Sequence, residues 1–249
     1  MEGMISGNHR ILAVLGTAVL MAVTAENAGG PAGTSLEENT QNVEAVMAYD
    51  NIHWLGHATV LIKGSRTVVV DPFQVNKGEP VDIIPITHDH HDHLSPDDIR
   101  KFQGKNTVIV VPKSGAGSVS GNVKTVEPGD VLDVAGVKIQ AVPAYTITKP
   151  FHPKTNKWVA YVFTLDNVTY YHAGDSDALP EMKSVKADVV FLPVGGTYTM
   201  NADEAAGIAN AIKPKLAVPI HWGSIIGDRK DAERFKELCK SEVRILEAE

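Results

Sequence analysis

The chain contains a single cysteine, Cys239, so no intrachain disulfide can form. That thiol falls within the predicted last helix and is expected to be a buried or partly buried packing group. Positive charge is also scarce: 23 Lys and Arg stand against 30 Asp and Glu, a formal net charge of −7. The basic residues are scattered, which excludes the electrostatic footprint of a nucleic-acid binder and a basic membrane-docking patch. No apolar run reaches the ~20 residues of a spanning helix, since "ILAVLGTAVLMAVTA" has only 15. No short-period repeat appears, which excludes a solenoid.

That apolar run follows His9 and Arg10 and ends with Val23 and Ala25 at the −3 and −1 positions of a small-residue cleavage site. Residues 1–25 are therefore expected to be a secretory signal peptide, with an uncleaved membrane anchor as the alternative. Residues 26–47, polar and Gly-rich, cannot bury enough surface to order themselves and are expected to be a disordered linker. The folded domain is expected over 48–249. Export to a periplasmic or extracellular location follows, with membrane contact only through an uncleaved N-terminus.

The rest has ordinary globular composition, 43% apolar and 21% charged. From Ile52 onward, short β-type runs are punctuated by turns at Lys63-Gly64-Ser65, Ala135-Gly136 and Asp166-Asn167. "VDIIPIT" and "ADVVFLPV" are almost wholly apolar, the mark of strands covered on both faces. Helices are predicted for "SPDDIRKFQ", with Ser95 as N-cap and Pro96 at the first position, for "NADEAAGIANAIKP" between Asn201 and Pro214, and for "DRKDAERFKELCK". Each half begins with antiparallel hairpins and moves to strands alternating with helices. This predicts one α/β domain in four layers, an αβ/βα sandwich of two packed mixed sheets with helices outside.

Four of the ten histidines fall within six residues of "THDHHDHLSP", Thr87 to Pro96. His88 and His90 follow a buried strand and, at i and i+2 in extended chain, project to one side. Asp92 and His93 lie in the bend before the Ser95-Pro96 helix start and can serve a second point nearby. Asp89 and His91 are spacers. Imidazole and carboxylate without thiolate suit zinc, iron, manganese or nickel and argue against a structural Cys-type zinc site. "YYHAGDSD" ends a strand with Asp175, and "AVPIHWG" ends another with His221. A carboxylate able to bridge two dications, completed by a further histidine, predicts a two-metal constellation. Such a constellation holds a hydroxide nucleophile at neutral pH and polarises the bond it attacks.

From about Ile52 to Leu246 the chain resembles the metallo-β-lactamase-fold hydrolases, in particular the branch of ascorbate 6-phosphate lactonase and N-acyl-phosphatidylethanolamine phospholipase D. "WLGHATVLI", "VVVDPF", "THDHHDH", "YHAGDSD", "FLPVGGTYTM" and "VPIHWG" carry the likeness, in family order. The resemblance implies His88 and His90 as ligands of metal 1, Asp92, His93 and His221 as ligands of metal 2, and Asp175 as the bridge. Asp71 would orient a ligand imidazole through its free N–H, or else simply end its strand at a turn. His57 matches the family's "GHAT" and would line the cleft, or be a hydrogen-bonded structural histidine. Most of the family takes a third metal 1 histidine from the strand that here ends at Tyr145 or Thr146. His152, about seven residues farther on, is the candidate metal or substrate ligand, against a structural loop histidine held by Pro150 and Pro153. His53 and His172 are expected to pack inside strands. Tyr145, Lys149, Lys154 and Tyr198 lie on loops facing the expected cleft and are candidate donors for an oxyanion or an anionic substrate group.

The implied activity is a metal-dependent hydrolase with two divalent ions, zinc first and Mn, Fe or Ni as alternatives, in which Asp92 and Asp175 position a metal-bound hydroxide. Its small-molecule substrate would be an ester, lactone, amide or phosphodiester. A metal-binding or sensing protein without turnover and a di-iron redox protein are the competing readings. For export, N-terminal sequencing of the mature protein is expected to begin after Ala25. A Met1 start in a soluble cytoplasmic fraction would rule export out.

Overall fold

The computed structural model describes residues 49–249. The expected signal peptide and linker lie outside the described residues. The first half runs through β1 (Ile52–Trp54), β2 (Val60–Lys63), β3 (Thr67–Val70), β4 (Val81–Pro85), α1 (Pro96–Phe102), β5 (Gln103–Pro112) and β6 (Asn122–Val126). The second half contains β7 (Val131–Val134), β8 (Val137–Pro143), β9 (Val159–Leu165), β10 (Val168–His172), β11 (Val189–Pro193), α2 (Ala202–Ile212), β12 (Leu216–Ile220), α3 (Arg229–Leu238) and β13 (Glu242–Val243).

Six strands form one sheet in the order β1-β2-β3-β4-β5-β6, and seven form the other in the order β13-β12-β11-β10-β9-β8-β7. Each sheet joins an antiparallel part, β1 to β3 or β7 to β10, to a parallel part, β3 to β6 or β10 to β13. This is the expected sandwich of two mixed sheets with helices. The β9–β10 hairpin turns at Asp166 and Asn167, with φ of 50° and 64°. Left-handed backbone at both central residues matches the twist of the flanking strands.

Alternation along the strands of the first sheet supplies both of its faces. Val68 and Val70, Ile83, and Val108 and Val110 join the main core against the second sheet. Val69, Ile84, and Ile109 and Val111 point the other way and pack with Leu94, Ile99 and Phe102 on and beside α1. Side chains project alternately from a strand, so a run apolar at nearly every position is buried on both faces. Across the second sheet, α2 buries Ala205, Ile208, Ala209 and Ile212 in the main core. Its start is set by a reciprocal cap: Asn201 Oδ1 accepts from Glu204 N and Glu204 Oε2 accepts from Asn201 N, each at 2.9 Å.

Three local expectations differ from the structure. The last helix stops at Leu238, and Cys239 is its extended C-cap rather than a helical residue, because the chain turns there toward β13. Strand β8 ends at Pro143, earlier than the expected Tyr145 or Thr146. His53 does not simply pack: it is partly exposed, with Nδ1 2.7 Å from Glu249 Oε1. His172 is fully buried as expected, its Nε2 donating to Ala58 O at 2.9 Å. Among the described residues, no helix is long and apolar enough to cross a membrane.

The sheets are fastened together next to the histidine motif. The buried Tyr161 hydroxyl on β9 donates to Ile86 O at 2.8 Å, with Val110 O at 3.2 Å, and Val159 N donates to Thr87 O at 3.1 Å. Burial pushes the Tyr161 pKa well up, so the hydroxyl stays a donor. Tyr161→Phe strands a buried carbonyl and is expected to lower unfolding free energy by about 1–3 kcal/mol. An unchanged midpoint in chemical denaturation would show that the contact contributes nothing.

Candidate metal centre

The residues singled out by sequence follow the C-terminal ends of strands: Asp71 after β3, His88 to His93 after β4, Asp175 after β10 and His221 after β12. That edge is where α/β sheets place ligand sites. The structure brings all six expected ligands together. His88, His90 and His152 form one group whose potential ligand atoms lie within 4.8 Å of one another. Asp92, His93 and His221, joined by His57, form a second. Asp175 stands between them, Oδ1 3.3 Å from His93 Nε2, and Oδ2 3.1 Å from His221 Nε2 and 3.3 Å from His152 Nε2. Of the two spacers, His91 is exposed and Asp89 is only partly buried, and neither belongs to a group.

Supporting contacts fix the rings. Asp71, fully buried, accepts from Thr87 N at 2.7 Å, from Thr87 Oγ1 at 2.6 Å and from His93 Nδ1 at 2.8 Å. An N–H held by a carboxylate leaves His93 Nε2 free to face Asp175 and Asp92. Asp71 is also a strand-ending turn residue, with φ of 47°. His57 and His221 share this left-handed backbone, with φ of 48° and 60°. Non-glycine residues held there cost about 1–3 kcal/mol each and persist where surrounding structure demands them. Here His221 N donates to His57 O at 2.7 Å, and the two rings lie with centroids 4.0 Å apart.

His57 Nε2 lies 3.0 Å from Asp92 Oδ2. Burial pulls the His57 pKa down to about 4, the Asp92 contact only partly opposing it. At neutral pH the ring is therefore uncharged and its Nε2–H donates to the carboxylate. Burial works against ionisation of Asp92, but the His57 hydrogen bond and nearby His93 outweigh it and hold the carboxyl below the usual range. Asp175 is likewise held well down by His221 and His93 against its own burial. For His93, burial is outweighed by Asp175 and Asp71, which raise its pKa well above the ordinary value.

Whether these residues fit a metal is decided by what they leave unbonded. His93 Nε2, both ring nitrogens of His152 and of His221, and Asp175 Oδ1 are buried with no hydrogen-bond partner. Unpaired buried polar atoms are costly and rare, and here they crowd around one point with N and O donors suited to zinc-like cations. The residues fit a metal-binding site. A cation here competes with the His93 proton, so metal affinity falls as pH falls.

His152 reaches the centre from a loop rather than a strand end. Thr146 holds it: Thr146 N donates to His152 O at 2.8 Å, and His152 N to Thr146 Oγ1 at 3.3 Å. Asp177 holds the Thr146 turn in place by accepting from Ile147 N at 2.7 Å and Thr148 N at 3.2 Å and by pairing with Lys149, while its own N–H donates to Tyr145 O at 3.0 Å. Sequence reasoning passed over Asp177, although it stands at i+2 from Asp175 and thus shares its strand-end turn. It also passed over Trp158, whose ring centroid lies 4.7 to 5.5 Å from those of His88, His90 and His152. Of the four candidate donors, Lys149 is paired with Asp177, the Tyr145 hydroxyl donates to Glu181 at 2.8 Å, Lys154 Nζ lies 3.3 Å from that hydroxyl, and Tyr198 packs edge-on against Phe151.

Comparison with known proteins finds relatives along most of the chain. Residues 51–221 match the family described as the β-lactamase superfamily domain. A UPF0173 metal-dependent hydrolase of Pyrococcus horikoshii is 33% identical over 216 residues, 78% of this chain and 95% of the relative. A Parabacteroides distasonis structure described as a candidate metal-dependent hydrolase superposes with a TM-score of 0.71 at 32% identity, covering 80% of this chain and 93% of that one. A Thermotoga maritima structure described as a candidate zinc-dependent hydrolase of the metallo-β-lactamase superfamily gives 0.54 at 25% identity, covering 76% and 86%.

Two variants separate the groups. Asp71→Asn keeps the shape but removes the carboxylate from His93, and is expected to weaken metal binding at the His93 group about 10- to 100-fold. Asp177→Ala is expected to weaken the His152 group first. Titration calorimetry on metal-stripped, folded protein reads both. Unaltered metal binding in either variant would refute that variant's assigned role.

Proposed function

The chain belongs to the metallo-β-lactamase superfamily, among its metal-dependent hydrolases, and from that premise we propose that it uses two divalent cations, zinc first, to hydrolyse an ester, lactone, amide or phosphodiester. His88, His90 and His152 would hold one cation, Asp92, His93 and His221 the other, and Asp175 would reach both. The observation that carries this reading is the buried Asp175 carboxylate lying within 3.3 Å of imidazoles from both groups, with unbonded ring nitrogens on either side. Bound at such a pair of groups, divalent cations supply Lewis acidity, lowering the pKa of a water toward neutrality and polarising the bond under attack.

The chain's own residues do the rest. Asp71 keeps the His93 tautomer fixed by taking its Nδ1–H. His57 donates to Asp92 and so sets which way that carboxylate faces. Asp92 and Asp175, both held ionised, would supply the negative charge that offsets bound cations and would orient the attacking water. Trp158 packs against the His88 and His90 rings and so helps to hold them in place.

Metal analysis of protein purified without added metal, followed by a panel of esters, lactones, amides and phosphodiesters, tests the reading. Removing metal with chelator should abolish turnover and zinc should restore it. Asp175→Asn should reduce kcat/KM by about 10²- to 10⁴-fold while far-UV circular dichroism is unchanged. If metal-loaded protein turns over nothing on the panel and the variant loses only metal, the chain is a metal-binding protein without turnover.

A further inference from the structure

The loops around the candidate metal centre form a continuous rim. Phe151, next to His152, packs edge-to-face on Tyr198 with ring centroids 4.7 Å apart. The Tyr198 loop is tied to the Asp175 turn by Met200 N donating to Ser176 O at 3.0 Å. It also meets the loop after His221, where a Cβ on Gly195 would lie 2.6 Å from His221 O and 2.8 Å from the Ile226 side chain. That loop in turn reaches the segment after Asp71 through Ser224 Oγ donating to Gln74 Oε1 at 3.2 Å.

Apolar side chains concentrate on this rim. Among the described residues four large hydrophobic side chains are exposed, and three of them, Ile147 at 61%, Phe151 at 43% and Ile225 at 42%, sit on the loops that carry His152 and follow His221. Scattered single hydrophobics need no explanation, whereas grouped ones around a cleft mark a binding surface. Charge at the same place is already engaged: Lys149 is bound by Asp177, and Lys154 leans on the Tyr145 ring, 4.6 Å from its centroid. The basic residues of the His152 loop that sequence singled out for an anionic substrate group thus have partners of their own, while Ile147 and Phe151 of the same loop stay exposed to solvent.

Resting on the hydrolase reading above, we propose that this mouth selects an uncharged substrate with an apolar acyl or aryl group beside the bond that is cleaved. Phe151, Tyr198 and Ile225 are the specificity-determining residues, giving that group an apolar wall while the scissile bond faces Asp175. A bulky apolar group is then favoured over a small one, and a terminal carboxylate is disfavoured.

Hydroxamates, which ligate metal through one end and present an acyl chain at the other, test this without requiring turnover. Binding of acetohydroxamate, hexanohydroxamate, benzohydroxamate and succinic monohydroxamate to the zinc-loaded protein is measured by calorimetry. Affinity should rise about tenfold or more from acetyl to hexanoyl, the gain expected if about two of the four added methylenes are buried at roughly three- to fourfold each. Benzohydroxamate should share the gain and the succinic compound should show none. Phe151→Ala should reduce the hexanoyl-to-acetyl ratio at least about threefold. Equal affinities across the series, tighter binding of the carboxylate compound, or no binding overturn the proposal. Self-association abolished by Phe151→Ala, without a chain-length effect, also overturns it and makes the patch an interface between copies. A chain-length effect with no hydrolysis of any substrate sinks the hydrolase reading and leaves the mouth apolar. Hydrolysis without a chain-length effect does the reverse.

Discussion

A carboxylate taken out of water must meet compensating charge or hydrogen bonds, because its desolvation costs several kcal/mol. Asp175 is 4% exposed and lies within 3.3 Å of three imidazoles on three different segments, His93 after β4, His152 from the loop after β8 and His221 after β12, with His93, its pKa raised, supplying opposite charge. The rest of the centre can be read as what keeps those rings in place. Asp71 and Thr87 lock His93, the His57 carbonyl ties His221, and Thr146 with Asp177 ties His152. Each support comes from a different part of the sequence, so the site exists only when both sheets are assembled.

The same constraint explains where the backbone departs from easy geometry. Asp71, His57 and His221 have left-handed φ, which lets a strand end abruptly and turn its next side chain inward. Glycine would adopt that geometry more readily, yet it has no side chain to offer. Strain at these positions is offset by the buried hydrogen bonds they make and by the close fit of the two sheets, which Tyr161 reinforces beside the histidine motif.

Around that edge the loops divide two tasks. Their inner residues are polar and converge on Asp175, whereas their outer residues, Ile147, Phe151 and Ile225, face solvent. The Lys149 and Asp177 pair serves the first task by fixing the loop that carries His152, and in doing so removes a cation from the rim. An apolar rim around a polar centre follows from that single contact as much as from composition.

Much of this was legible in the sequence. Period-two and wholly apolar runs marked the strands of both sheets, because burial on one or two faces is written in which residues alternate. The spacing of His88, His90, Asp92 and His93 marked the centre, since neighbours in sequence share a strand end whatever the distant packing. Asp175 and His221 were legible in the same way at the ends of their own strands, and the likeness to a known family assigned each ligand its metal. Tertiary structure alone decided what depends on chain segments far apart. Strand β8 stops at Pro143 and the third histidine arrives from a loop, an outcome set by Asp177 and Thr146 rather than by strand periodicity. Lys149 and Tyr145 look like free donors in sequence, but they spend their hydrogen bonds on Asp177 and Glu181, because which carboxylate a side chain meets depends on folding and not on its neighbours along the chain.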